Sequence, residues 1–240
     1  MTAMMSIGRL APLVLTAALL VTCPVAVGAD DWTGFRGPDR DGKADSTGLP
    51  VAWKSNTNIV WKTELPGLGT SSPMEIDGKI YLTCYSGYAE DADEPGDLEN
   101  LMRHLVCVDR ETGKLLWSKK FDPMGEESKY VGRNNTRHGY ASSTLTTDGE
   151  KLYMFLGISG VYALDMEGNV LWRTDVGDGT HGWGSGTSPL LYKDLLIVNA
   201  SVESQSLVAL NKNTGKKVWE VGGIKSCWSS PIIVTANGRD

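Results

Sequence analysis

Residues 209–219 read ALNKNTGKKVW. Val208 and Leu210 alternate with the small Ala209, the period of a short strand. Asn211 to Gly215 is turn chemistry. Asn offers a side-chain oxygen to the backbone ahead of it, and Gly takes the positive φ that closes a tight hairpin with a bulge. Val218 and Trp219 resume an extended apolar pattern. One such hairpin is ordinary, but the chain writes it again. Residues 107–117, CVDRETGKLLW, place Asp109, Thr112, Gly113 and Trp117 at the offsets of Asn211, Thr214, Gly215 and Trp219. Residues 163–172, ALDMEGNVLW, carry Asp165, Gly168 and Trp172 with one residue fewer and no Thr. A weaker copy, NTNIVWK, ends a strand at Trp61 and lacks the Thr-Gly corner.

A second signal interleaves with the first. TSSPMEIDGKIYLTC (Ser72, Pro73), ASSTLTTDGEKLYMF (Ser143, Thr144), GTSPLLYKDLLIVNA (Ser188, Pro189) and CWSSPIIVTANGRD (Ser230, Pro231) share one layout of hydroxyl residues, strand, turn and usually a second strand. The unit is strand, turn, strand, hairpin, Trp-bearing strand. The Trp residues are spaced by 56, 55 and 47, and two insertions, residues 88–103 and 122–140, account for the long intervals. Four short strands at a pitch near 45 residues predict propeller blades, since one blade cannot bury both of its faces alone. A wide, flat Trp at a fixed place on each outer strand can fill the gap between neighbouring blades. Burying such a ring contributes roughly 2–3 kcal/mol.

These residues resemble the tryptophan-docking motif, Ala-x-Asp-x-x-Thr-Gly-x-x-x-Trp, of the pyrroloquinoline-quinone-type (PQQ-like) β-propellers. Ala209, Asn211, Thr214, Gly215 and Trp219 match with Asn for Asp, and the copy at Asp109 matches with Cys107 for Ala. The opening WTGFRGPDRDG, with HGYASST and WGSGTSP, is similar to secreted propellers of this type abundant in planctomycete-like bacteria. The resemblance covers about residues 32–240 and is specific for fold rather than activity. It implies an all-β propeller of four-stranded antiparallel blades, of which about four are expected. The last copy stops inside its blade, so an incomplete propeller is expected, the family's closed rings usually having seven or eight blades.

Residues 1–29 read as a signal peptide: one charge, Arg9, a 12-residue apolar run, LAPLVLTAALLV, and small residues before Asp30. That run is short for a membrane span. Cys23 in LVTC gives a lipoprotein alternative, weakened by Thr22 where a smaller residue is expected. A propeller domain over residues 30–240, exported to the periplasm or beyond, is the expectation. Its 22 basic against 29 acidic residues argue against nucleic acid and anionic membrane as partners.

Candidate sites follow from the insertions. RNNTRHGYASS supplies Arg133, Arg137, His138 and Tyr140, and GTHGWGSGTSP supplies His181 and Trp183. Each leads into the first strand of a blade, where loops open at one mouth of a propeller and commonly bind. The plainer reading of any one of them is loop decoration. The acidic run AEDADEPGDLEN has Pro95 where a calcium loop wants an oxygen ligand, so a solvated loop is expected and no metal site. Cys84 and Cys107 fall on strands that a regular blade sets side by side. An exported chain permits a disulfide there, and two buried thiols fit as well. No Gly-rich phosphate loop, nucleophile elbow or convincing carboxylate pair appears.

The leading expectation is a non-catalytic binding or scaffold module, taking a protein, small molecule or carbohydrate at the mouth, with no cofactor. Within the resembling family, the outer-membrane lipoprotein of the β-barrel assembly machinery works this way. The alternative is a quinoprotein dehydrogenase using PQQ and Ca²⁺ on alcohols or sugars. A carbohydrate-binding module is a third reading, resting on Trp183 and the aromatic loops.

Overall fold

The computed structural model describes residues 31–129 and 139–237. Among them, twelve strands form three antiparallel four-stranded sheets, each a meander in chain order. The first blade is β1 (Met74–Ile76), β2 (Lys79–Ser86), β3 (Met102–Asp109) and β4 (Leu115–Phe121). The second is β5 (Thr146–Thr147), β6 (Leu152–Phe155), β7 (Val161–Leu164) and β8 (Val170–Thr174). The third is β9 (Leu190–Tyr192), β10 (Leu195–Ala200), β11 (Ser206–Asn211) and β12 (Lys217–Gly222). The chain is thus all-β with propeller-type blades, as the repeats require.

Side-chain alternation sends each middle strand into two cores at once. Leu152 and Met154 of β6 join Met74, Tyr81, Leu105 and Cys107 of the first blade, whereas Tyr153 and Phe155 join Leu196, Val198 and Val208 of the third. All four residues of β6 are buried, which is why that strand reads as an unbroken apolar run.

The outer strands are locked by the motif that opens the sequence. Trp117 faces Cys107, Trp172 faces Ala163 and Trp219 faces Ala209, and a register shift follows each pair on the inner partner. Each corner is tied by its acidic or amide side chain. Asp109 Oδ1 accepts from Thr112 N and Oγ1 at 2.8 and 2.6 Å, and Asn211 Oδ1 accepts from Thr214 N and Oγ1 at 3.0 and 3.1 Å. An acceptor is all the corner needs, so Asn serves as Asp does. In the shortened copy Asn169 replaces the missing Thr, donating from N and Nδ2 to Asp165 at 2.7 and 2.8 Å. The turn absorbs the deletion, and the strand register survives.

Each corner glycine is where the preceding Trp lands. Gly113, Gly168 and Gly215 have φ of 71°, 80° and 69°. A Cβ would stand 2.4 Å from the Trp61 ring at Gly113, 2.9 Å from Trp117 at Gly168, and 2.7 Å from Trp172 at Gly215. Trp61 Nε1 donates to Arg110 O at 2.9 Å and Trp172 Nε1 to Lys212 O at 3.1 Å, the same place in the corners of the first and third blades. Two residues on, Thr63 and Thr174 donate to the carbonyls of Gly113 and Gly215. Trp61 therefore docks as its copies do, although it lies outside the regular strands and not at a strand end.

The hydroxyl repeat forms a second, inner belt. Ser72 N donates to Thr144 Oγ1 at 2.9 Å, Thr144 N to Ser188 Oγ at 3.0 Å, and Ser188 N to Ser230 Oγ at 2.9 Å. One backbone donor per unit is satisfied by the next unit's hydroxyl, which explains small polar residues at the start of every unit. Residues 31–42 lie on this belt. Trp32 bridges Glu75 beside β1, and Thr147 N donates to Thr33 O at 3.2 Å beside β5.

Of the two readings of Cys84 and Cys107, the structure shows buried free thiols and no disulfide between them. Cys84 pairs in register with His104 and Cys107 with Tyr81, so the two side chains leave opposite faces of one sheet. Burial pushes the Cys84 thiol up to about 11 and that of Cys107 up as well, which keeps both in the unreactive thiol form. The insertion between β2 and β3 concealed this register. The proposed signal peptide and Cys23 lie outside the described residues.

Candidate functional site: the mouth of the blades

Loops β2–β3, β6–β7 and β10–β11 emerge at the same end as the connections β4–β5 and β8–β9, opposite the Trp-docking corners. Their centre is a buried ion pair. Arg103, the one charge inside the apolar β3, meets Glu127 of the β4–β5 connection at 2.6 Å, with both side chains under a tenth exposed. Its Nε donates to Tyr140 O and its Nη1 to Ser159 Oγ, each at 3.1 Å. Ser159 is fully buried in the short 3₁₀ turn Gly157–Ser159, and its carbonyl also accepts from Arg173 Nε at 2.7 Å. Two points of the β4–β5 connection and the β6–β7 loop are thereby pinned to one guanidinium.

Tyr140 belongs to this floor and not to the surface where the sequence placed it. It is 6% exposed, donates its hydroxyl to Ser128 O at 2.6 Å, and packs edge-on against Tyr85 with centroids 5.6 Å apart. The adjoining segment with Arg133, Arg137 and His138 lies outside the described residues.

His181 and Trp183 do come together at the mouth, with a third ring that sequence reasoning left unassigned. Trp228 stands 4.9 Å from His181 and 5.8 Å from Trp183 between centroids. Its Nε1 donates to Gly184 O at 2.8 Å, which fixes the indole beneath the loop. His181 Nδ1 accepts from Trp183 N at 3.1 Å, and His181 O accepts from Ser128 Oγ at 3.3 Å. Trp183 is left 61% exposed. The result is a fixed aromatic ledge with one large apolar face turned to solvent.

Beneath the ledge, Glu203 of the β10–β11 loop is 4% exposed and accepts from Ser185 Oγ. Burial raises its carboxyl above the ordinary value, against the lowering effect of Ser185, and the nearby Glu127 raises it further. Raised in the folded state, this group contributes stability that is fully present below the unfolded Glu value and is lost as pH rises through the folded one. Glu203→Gln is therefore expected to gain on the order of 1 kcal/mol over wild type at pH 8 and nothing at pH 4. Urea unfolding at both pH values checks it, and equal differences at the two would refute the assignment.

Arg103, Glu127, Ser159, Glu203 and Trp228 were not picked out from sequence. A lone Arg in an apolar strand was the available signal for the first. The others are joined by convergence of separate loops, which no local spacing records.

The family model described as "Outer membrane protein assembly factor BamB" matches residues 101–232. The chain belongs to this family of PQQ-like β-propeller repeat proteins. Among solved structures, BamB from Moraxella catarrhalis is 20% identical, with 69% of this chain and 43% of that one covered and a TM-score of 0.44. A quinohemoprotein alcohol dehydrogenase from Comamonas testosteroni is 16% identical over 65% of this chain and 21% of its own, with a TM-score of 0.41. A europium-containing methanol dehydrogenase is 20% identical over 63% and 24%, with a TM-score of 0.41. The chain thus spans less than half the length of each. No protein of curated function matches it. Among the described residues, no helix is long and apolar enough to cross a membrane.

Proposed function

We propose that this chain is an exported, non-catalytic binding module that takes a protein segment on the aromatic ledge at the mouth of its blades. The exposed Trp183, held by His181 and Trp228, carries this reading. Rigid aromatic area that is half solvent-exposed in the free protein is the usual anchor of a protein interface. The matched family, that of an outer membrane protein assembly factor, supports the same reading. Export rests on the charge and apolar pattern of residues 1–29.

A quinone would need cations for its carboxylates and an oxygen-ligand set for a metal. The buried cation of the mouth, Arg103, is already engaged by Glu127, Tyr140 O and Ser159. Among the described residues, no three His, Cys, Asp or Glu side chains gather as metal ligands do. Among the described residues, the donor set of the mouth does not fit the group, which supports binding over oxidation.

The purified protein incubated with PQQ and Ca²⁺ is expected to bind no stoichiometric cofactor and to reduce no dye with alcohols or sugars. Saturable binding at micromolar PQQ, about −8 kcal/mol, with substrate-dependent dye reduction would overturn the proposal. Saturable binding of a soluble oligosaccharide that Trp183→Ala abolishes would favour the carbohydrate reading instead.

A further inference from the structure

The N-terminal segment WTGFRGPDRDG builds a feature that neither the docking motif nor the mouth uses. Its backbone doubles back in two turns. Gly37, at φ 82°, lies over the Trp32 ring, where a Cβ would stand 2.8 Å from the indole. Gly34 leaves room for the Arg40 guanidinium, since a Cβ there would stand 2.4 Å from Nη1. Arg40 Nη2 donates to Thr146 Oγ1 at 3.0 Å, and that fully buried hydroxyl donates onward to Thr33 O at 3.1 Å. The guanidinium is thus set in place by the segment and by β5 together.

What it lacks is a counter-charge. Among the described residues, neither Arg36 nor Arg40 makes an ion pair, while the nearby Asp41 is engaged by Lys43 at 3.1 Å. Arginine does not deprotonate in proteins, so a half-buried guanidinium held by one neutral hydroxyl is under-compensated. Burial pulls Arg40 below its ordinary pKa, in keeping with that environment. Both arginines line a cavity that is also lined by Ser188, Ser230, Phe35 and Trp228. Each of those serine oxygens accepts a backbone N–H of the inner belt and keeps its own O–H to donate. Two cations and two hydroxyl donors around one space, in a chain whose overall charge is negative, are the chemistry of an anion site.

We propose that this cavity, between the seated N-terminal segment and the inner belt at Ser188 and Ser230, binds a small oxyanion, carboxylate or phosphate, on Arg40. The forked donor face of Arg40 makes the principal contact, Arg36 adds charge from the open side, and Thr146 positions Arg40 without touching the ligand.

The test is calorimetric titration of the whole protein at low ionic strength with malonate in one arm and inorganic phosphate in the other. Saturable one-to-one binding is expected in at least one arm, and the arm that saturates identifies the anion class. Arg40→Gln is expected to weaken it at least about tenfold, Arg40→Lys and Thr146→Val by smaller factors, and Arg36→Gln only a few-fold. The same anion should raise the melting temperature of wild type and leave that of Arg40→Gln unmoved. Should Arg40→Gln fail to fold, Arg40→Lys carries the comparison, because it keeps the charge and loses the fork. Absence of binding in both arms up to about 20 mM, or wild-type affinity within twofold in the arginine variants, overturns the proposal.

Discussion

Gly215→Val is expected to destabilise the protein by about 4 kcal/mol, a large share of the roughly 5–15 kcal/mol that a folded domain holds. Two costs combine. The residue sits at φ 69°, where a β-branched side chain is strained by roughly 1–2 kcal/mol. A Cβ would also stand 2.6 Å from Thr174 Oγ1 and 2.7 Å from the Trp172 ring, an overpacking worth roughly 1–3 kcal/mol. The second cost exists because the outer strand of one blade, through Trp172 and Thr174, rests on the next blade's corner. Trp172→Ala by itself is expected to lose about 3 kcal/mol, through lost burial and the lost bond to Lys212 O. In Trp172→Ala/Gly215→Val the ring clash is gone, so the double variant should be milder than the two losses added, by on the order of 1 kcal/mol or more. Urea midpoints of the four proteins measure this. Strict additivity would mean that ring and corner do not touch.

Arg103→Met is expected to cost about 3–5 kcal/mol, because it strands Glu127 as an unpaired charge under the mouth. It also removes the tie between Tyr140 O and Ser159, so the loops should loosen while the blades keep their strands. Arg103→Met/Glu127→Met should regain most of the loss, since apolar replacement of a buried pair is near neutral. A far-UV spectrum unchanged in the single variant, with hydrogen exchange quickened in residues 122–129 and 157–160, would place the damage at the mouth. A loss under 1 kcal/mol would show that the pair is wetter than its geometry.

These two expectations divide along what the sequence discloses. The docking corners were legible because each is a local pattern, Asn211 to Trp219, repeated at a pitch that a stacked unit imposes. Even the shortened copy at Asp165 kept its meaning, because Asn169 could stand in for Thr. The hydroxyl repeat was visible, but its purpose was not, since a bond from Ser72 to Thr144 crosses 72 residues of chain. The mouth was legible only in outline. His181 and Trp183 share a loop, whereas Trp228 reaches them from the next unit and Glu203 from another loop. Tyr140 was misplaced because a tyrosine in a polar insertion reads as exposed until Arg103, Tyr85 and Ser128 are seen around it. The choice between a Cys84–Cys107 disulfide and two buried thiols stayed open in the sequence because it turns on strand register, which spacing cannot fix across an insertion.

Site-directed photo-crosslinking in cells reports most directly on whether the mouth is the working face. A benzophenone amino acid at Trp183 reports from the aromatic ledge, and one at Glu167, exposed on the β7–β8 corner, reports from the opposite end. The account predicts one or a few discrete adducts from position 183, their loss when Trp228→Ala is added, and none from position 167. Equal adducts from both positions, or adducts from 167 alone, would contradict it.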